Sequence, residues 1–167
     1  MASEGFYQRF AESGLVEALA DSPVVLLHGP RQSGKTTLAR LVGERRDYSY
    51  LTFDDSVTRQ SADTDPTGFV DGLPARVILD EVQRVPALFT AIKAAVDRRR
   101  TAGRFLLTGS ANVLLVPTLA DSLAGRMEIL RLHPLAQCEL PAAHPDSWMR
   151  CSGACSRPAR WKGSARP

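Results

Sequence analysis

The stretch Gly29-Pro30-Arg31-Gln32-Ser33-Gly34-Lys35-Thr36 decides how the rest of this 167-residue chain is read. It fits G-x-x-x-x-G-K-[ST], and each fixed position has a physical task. The glycines let the backbone wrap closely around phosphate oxygens. Amide N–H groups then point inward as an anion nest, with a helix N-terminus behind them. Lys35 is placed to reach the β- and γ-phosphates, and Thr36 to offer its hydroxyl to Mg²⁺. The setting is the required one. Val24-Val25-Leu26-Leu27 reads as a strand buried on both faces, and Thr36 to Arg46 as a helix. The nucleotide-binding segment is therefore Gly29, Pro30, Arg31, Gln32, Ser33, Gly34, Lys35, Thr36 and Thr37. Within it Arg31, Gln32 and Ser33 have no individual role and are expected to face solvent or substrate. His28 reads as a strand-end packing residue.

Forty-five residues beyond Lys35, Val77-Ile78-Leu79-Asp80-Glu81 is an apolar strand that ends in two acids. Desolvated charge is costly, so paired carboxylates at a buried strand end are not there for stability. A Walker B site explains both: Asp80 holds Mg²⁺, mostly through water, and Glu81 orients or deprotonates the attacking water. One further strand, 48–53, lies between the two motifs in sequence. With a glutamate directly after the aspartate, this order fits the additional-strand, catalytic-glutamate class of P-loop proteins and disfavours a GTPase or nucleotide kinase. The hydrolysing members of that class insert the next strand between the two sites. Its tip here is Thr108-Gly109-Ser110-Ala111-Asn112. Thr108, Ser110 and Asn112 all qualify to hold the attacking water or sense the γ-phosphate, and Ser110 is favoured.

The remaining segments alternate. Phe6, Phe10, Leu15 and Leu19 recur at helical spacing before the break at Asp21-Ser22-Pro23. Residues 56–75 read as short helical pieces and loop, punctuated by Pro66, Gly68, Gly72 and Pro74. Pro86 to Arg100 is a helix, residues 104–108 a strand, a loop and helix run from Gly109 to about Leu123, and 127–132 is the last strand. Such alternation predicts an α/β fold on a mostly parallel five-stranded sheet. The expected division is an N-terminal helix (1–22), an ATPase core (23–140) and an irregular or disordered basic tail (141–167), where Pro, Ser, Gly, Ala and Arg dominate.

Composition narrows the class further. The hydrophobic share of 44% and charged share of 23% are ordinary for a globular domain. No apolar run approaches the roughly 18 residues that span a bilayer, and the N-terminus is not a secretory signal, so a cytoplasmic protein without a membrane partner is expected. The net charge of +3 sits in the tail: residues 145–167 carry five Lys or Arg and one acid, leaving 16 basic and 17 acidic residues elsewhere. The basic balance therefore does not indicate nucleic acid. Arg98, Arg99, Arg100 and the tail raise a nucleic-acid-associated module, but solvated charge at a helix end is the plainer account. Cys138, Cys151 and Cys155 with His144 match no usual zinc spacing.

These stretches together resemble the prokaryotic AAA-type ATPases with an AAA_14 domain, usually fused to a DUF4143 domain. The resemblance runs from Gly29–Leu38 through Phe53-Asp54-Asp55, Asp65-Pro66, Ile78–Pro86 and Gly103–Asn112. It continues through Leu123-Ala124-Gly125-Arg126 and His133-Pro134-Leu135, about residues 15 to 140 in all. It implies a RecA-like core, a P-loop three-layer sandwich, with ATP and Mg²⁺ as ligands, Lys35 and Thr36 in Walker A, Asp80 and Glu81 in Walker B, and a sensor in the 108–112 turn. It makes Arg126 a candidate arginine finger acting on a neighbouring copy in a homo-oligomer, beside the alternative of a surface salt bridge. Family members continue for some two hundred residues, so a truncated or frame-shifted product is the expectation. The role of Asp54-Asp55 stays open. Two readings of the output follow: an ATP-hydrolysing domain, or a nucleotide-binding switch or remnant with negligible turnover.

Overall fold

Five short apolar segments form the strands β1 (Val24–Gly29), β2 (Ser49–Thr52), β3 (Val77–Asp80), β4 (Phe105–Ser110) and β5 (Met127–Arg131). The computed structural model describes residues 11–110, 113 and 123–134. The strands lie in the order β2-β3-β4-β1-β5, and every ladder is parallel. Between them run α1 (Ala11–Asp21), α2 (Lys35–Glu44), α3 (Ser56–Thr64), α4 (Pro66–Asp71) and α5 (Leu88–Arg98), with a 3-10 turn at Val82–Arg84.

Strands β1 and β3 are buried at every position, which is why they read as continuous apolar runs rather than as alternation. Successive side chains nonetheless part to opposite faces. Val24, Leu26, Leu79, Phe105 and Leu107 pack with Leu88, Ile92 and Val96 of α5. Val25, Leu27, Ile78 and Leu106 pack with Leu15 and Leu19 of α1 and Leu38 and Val42 of α2. The sheet is thus the middle of three layers, as in RecA-like P-loop proteins, with β4 seated between β1 and β3.

Two acids build the 56–75 region. Asp55 accepts from the Thr58 amide at 2.8 Å and starts α3; Asp65 accepts from the Gly68 amide at 2.9 Å and starts α4, with Pro66 in its first turn. The helix expected from Pro86 begins only at Leu88. Pro86 and Ala87 instead form a turn, with the Leu88 amide on the Val85 carbonyl at 3.1 Å, after a 3-10 turn in which the Arg84 amide bonds the Glu81 carbonyl at 3.0 Å and the Val85 amide that of Val82 at 3.1 Å. Among the described residues no helix is long and apolar enough to cross a membrane. Phe6, Phe10, Asn112, the cysteines, His144 and the tail lie outside the described residues, as does most of the helix expected before Leu123.

Candidate nucleotide-binding site

A wholly parallel sheet puts all its carboxyl ends on one edge, where α/β proteins take their ligands. The P-loop leaves β1 there, Asp80 and Glu81 end β3, and Thr108 and Ser110 end β4 between them. The register places Ser110 opposite Gly29 and Thr108 opposite Leu27.

The loop is shaped by two glycines for different reasons. A Cβ on Gly29 would run into the carbonyl oxygen of Leu132, so backbone approach forbids a side chain there. Gly34 has φ 87° and ψ 21°, the left-handed region, which glycine enters without penalty. It is also the N-cap residue of α2, with no side-chain cap and no acid in the first helical turn. The leading amides of α2 are therefore left to an anion. Lys35 is almost fully buried, 6% exposed. Its Nζ donates to the carbonyls of Gly29 at 3.1 Å and Pro30 at 2.7 Å. Burial lowers its pKa, opposed by the nearby carboxylates of Glu81 and Asp80. Arg31 and Gln32 are exposed as expected, and Thr37 is exposed too, but Ser33 is turned inward and buried.

Asp80 receives three hydroxyls. Thr36 donates to Oδ1 at 3.0 Å, Thr108 donates to the same oxygen, and Tyr50 donates to Oδ2 at 2.8 Å. Burial, then the bond to Asp80 and its charge, push the Tyr50 phenol up to about 12. Glu81 sits in the left-handed region, φ 58° and ψ 41°. Its amide donates to Thr108 Oγ1 at 3.3 Å, and its carboxylate accepts from the Gln83 side-chain amide. Among the three polar residues proposed at the β4 tip, Thr108 touches the acidic segment, whereas Ser110 is half-exposed opposite Gly29.

These groups suit Mg²⁺. Its oxygen ligands lie at about 2.0–2.1 Å in octahedral geometry, so two adjacent ligands stand about 3 Å apart. The Thr36 and Asp80 oxygens, both hard donors, are 3.0 Å apart. Beside them opens a cleft of about 290 Å³ lined by Arg31, Gln32, Gly34, Lys35, Thr36, Thr37 and Glu81. A larger depression of about 430 Å³ along α3 is lined by Ser56, Arg59, Gln60, Asp63 and Thr64. It has no uncapped helix start or lysine-backed loop, so the smaller cleft is the candidate.

Sequence reading missed Tyr50 and Gln83. Tyr50 reads as an ordinary β-former. Gln83 stands two residues after Glu81, and only the turn at Glu81 folds it back. Arg126 precedes β5, at the end of the sheet opposite the cleft, and makes a bidentate pair with Asp97 of α5, with Nη2 at 3.1 Å from Oδ2. Arg98 is likewise tied to Asp71. Asp54 pairs with Arg84 at 2.6 Å.

The chain is 41% identical over 145 residues to the uncharacterized proteins Mb2031c of Mycobacterium bovis and Rv2008c of Mycobacterium tuberculosis. The match covers 86% of this chain but 32% of theirs, so the chain spans about a third of the length of these relatives. Among solved structures it is similar to a DNA replication initiation factor, with 16% identity, TM-score 0.49, and 80% of this chain and 47% of that one covered. It is also similar to PCH-2 of C. elegans, with 21% identity, TM-score 0.47, and 78% and 44% covered. Residues 21–140 match the AAA domain family AAA_14. The chain belongs to that family, and is by this membership a nucleotide-binding ATPase module of the AAA class.

Proposed function

We propose that this chain binds Mg²⁺-ATP in the P-loop cleft and hydrolyses it. The observation that carries the reading is the convergence of an uncapped α2 N-terminus, a buried Lys35 and the Asp80–Glu81 pair on one cleft. The loop amides and the α2 N-terminus would bind phosphate oxygens, and Lys35 would exchange its two loop carbonyls for the β- and γ-phosphates. Thr36 and Asp80 would hold Mg²⁺, which supplies charge neutralisation at those phosphate oxygens. Glu81 would orient the attacking water and take its proton. Ser110, at the exposed tip of β4, is proposed to contact that water or the γ-phosphate. Arg126 is proposed as an arginine finger only in an assembly, since it must leave Asp97 to reach a neighbouring copy.

A second reading is supported by the partners that the candidate residues already hold, in the cleft and away from it. Lys35 is held by the loop, Glu81 by Gln83, and Arg126 by Asp97. This favours a nucleotide-binding switch whose turnover in isolation is slow. ATP binding and steady-state hydrolysis beside Lys35→Ala and Glu81→Gln separate the two. Hydrolysis requires Lys35→Ala to lose binding and Glu81→Gln to bind with turnover lowered by about 10²–10⁴-fold. Wild-type turnover no faster than Glu81→Gln leaves the switch. Failure of the wild type to bind ATP overturns both.

A further inference from the structure

The Asp80 carboxylate is anchored from three elements: Thr36 on α2, Thr108 on β4 and Tyr50 on β2. Two of these donors share Oδ1, and among the described residues Tyr50 is the side chain that bonds Oδ2. The β2–β3 register pairs Tyr50 with Ile78 and Thr52 with Asp80. The phenol therefore reaches forward by two residues, about 6.6 Å of strand rise. Its ring is covered by Arg40 of α2, whose guanidinium carbon lies 4.9 Å from the ring centroid. β2 is an edge of the sheet, so Tyr50 has a strand neighbour on one side.

We propose that Tyr50 is a positioning residue that fixes Asp80 for the divalent cation accompanying the nucleotide. The inference rests on the ATPase reading above. A hydroxyl ligates a metal through a lone pair, so Thr36 can keep donating to Oδ1 while its oxygen is a ligand. Thr36 and Thr108 hold Oδ1 and Tyr50 holds Oδ2, and anchors on different oxygens fix the plane of the group. Removing the phenol oxygen frees the carboxylate to rotate about its Cβ–Cγ bond, and the ligand set is no longer preorganised. Arg40 supports the same bond by holding the ring.

The test is titration of a fluorescent ATP analogue in EDTA and at increasing Mg²⁺, on wild type, Tyr50→Phe and Arg40→Ala. Wild type is expected to gain affinity with Mg²⁺. Tyr50→Phe is expected to bind as wild type in EDTA but to need about tenfold more Mg²⁺ for half the gain. Arg40→Ala is expected to shift in the same direction by less. A Tyr50→Phe curve that overlays wild type overturns the proposal and leaves the ATPase reading standing. Equal loss of affinity with and without Mg²⁺ also overturns it, since the phenol is then merely structural. Absence of binding by wild type in either condition removes the ATPase reading and this proposal together.

Discussion

Glu81 holds a left-handed backbone that costs a side-chain-bearing residue about 1–2 kcal/mol. The turn aims its carboxylate into the cleft and brings Gln83 back against it, so the strain sits where the chemistry is proposed. Removing the side chain in two ways isolates that strain. Glu81→Gly is expected to be more stable than Glu81→Ala by about 1 kcal/mol in denaturant unfolding, the reverse of their order in a helix. Equal stabilities would mean that the turn carries no backbone cost. His28 offers a pH test. It is 8% exposed, its Nδ1 has no hydrogen-bond partner among the described residues, and burial, then Arg131, Lys35 and His133, lower its pKa. The unfolded chain takes a proton in the ordinary histidine range while the folded chain resists it. The stability due to neutral His28 is therefore present above that range and lost as pH falls through it. His28→Leu should flatten the dependence of the unfolding midpoint between about pH 7 and 5.

At the scale of elements, α5 is the main cover of one sheet face, and Phe89 in it is fully buried. Phe89→Ala is expected to cost about 3–5 kcal/mol in equilibrium unfolding. A loss below about 1 kcal/mol would mean that this layer is not packed as described. The buried strands and α2 were legible because a parallel sheet demands continuous apolar runs, and α2 follows the phosphate loop. The Asp55 and Asp65 caps were legible only as breaks, since the caps depend on backbone turns that composition does not encode. The same limit hid the 3-10 turn: Val82-Gln83-Arg84 has helical composition, and the positive φ of Glu81 decides otherwise. The phosphate loop and the Asp80–Glu81 strand end, which the parallel sheet brings to one edge, were readable from spacing. Tyr50 was not, because its role depends on a strand partner 28 residues away and on the length of a phenol.

For the molecule as a whole, the fold is a two-sided support for one edge, and occupancy of that edge should stabilise all of it. At ATP about 100-fold above its dissociation constant, binding adds about 2.7 kcal/mol to unfolding. A rise in melting temperature with ATP that Lys35→Ala abolishes is the expected result, and an equal rise in that variant would place the nucleotide elsewhere. Assembly adds a second dependence. If Arg126 serves a neighbouring copy, specific turnover rises with protein concentration and Arg126→Ala removes the rise without weakening ATP binding. A rate per molecule that is constant across dilution, and unchanged in Arg126→Ala, would leave Arg126 as the partner of Asp97.

Gly29 has its back against the Leu132 carbonyl, and the Leu132 amide bonds His28 at 2.7 Å. The first residue of the phosphate loop and the exit of the last strand are thus braced against each other. Force applied to the chain beyond His133 is delivered to the loop at its root, and swelling of the loop is delivered outward along the same strut. Whatever is joined to this module at that point is mechanically in series with the proposed phosphate site.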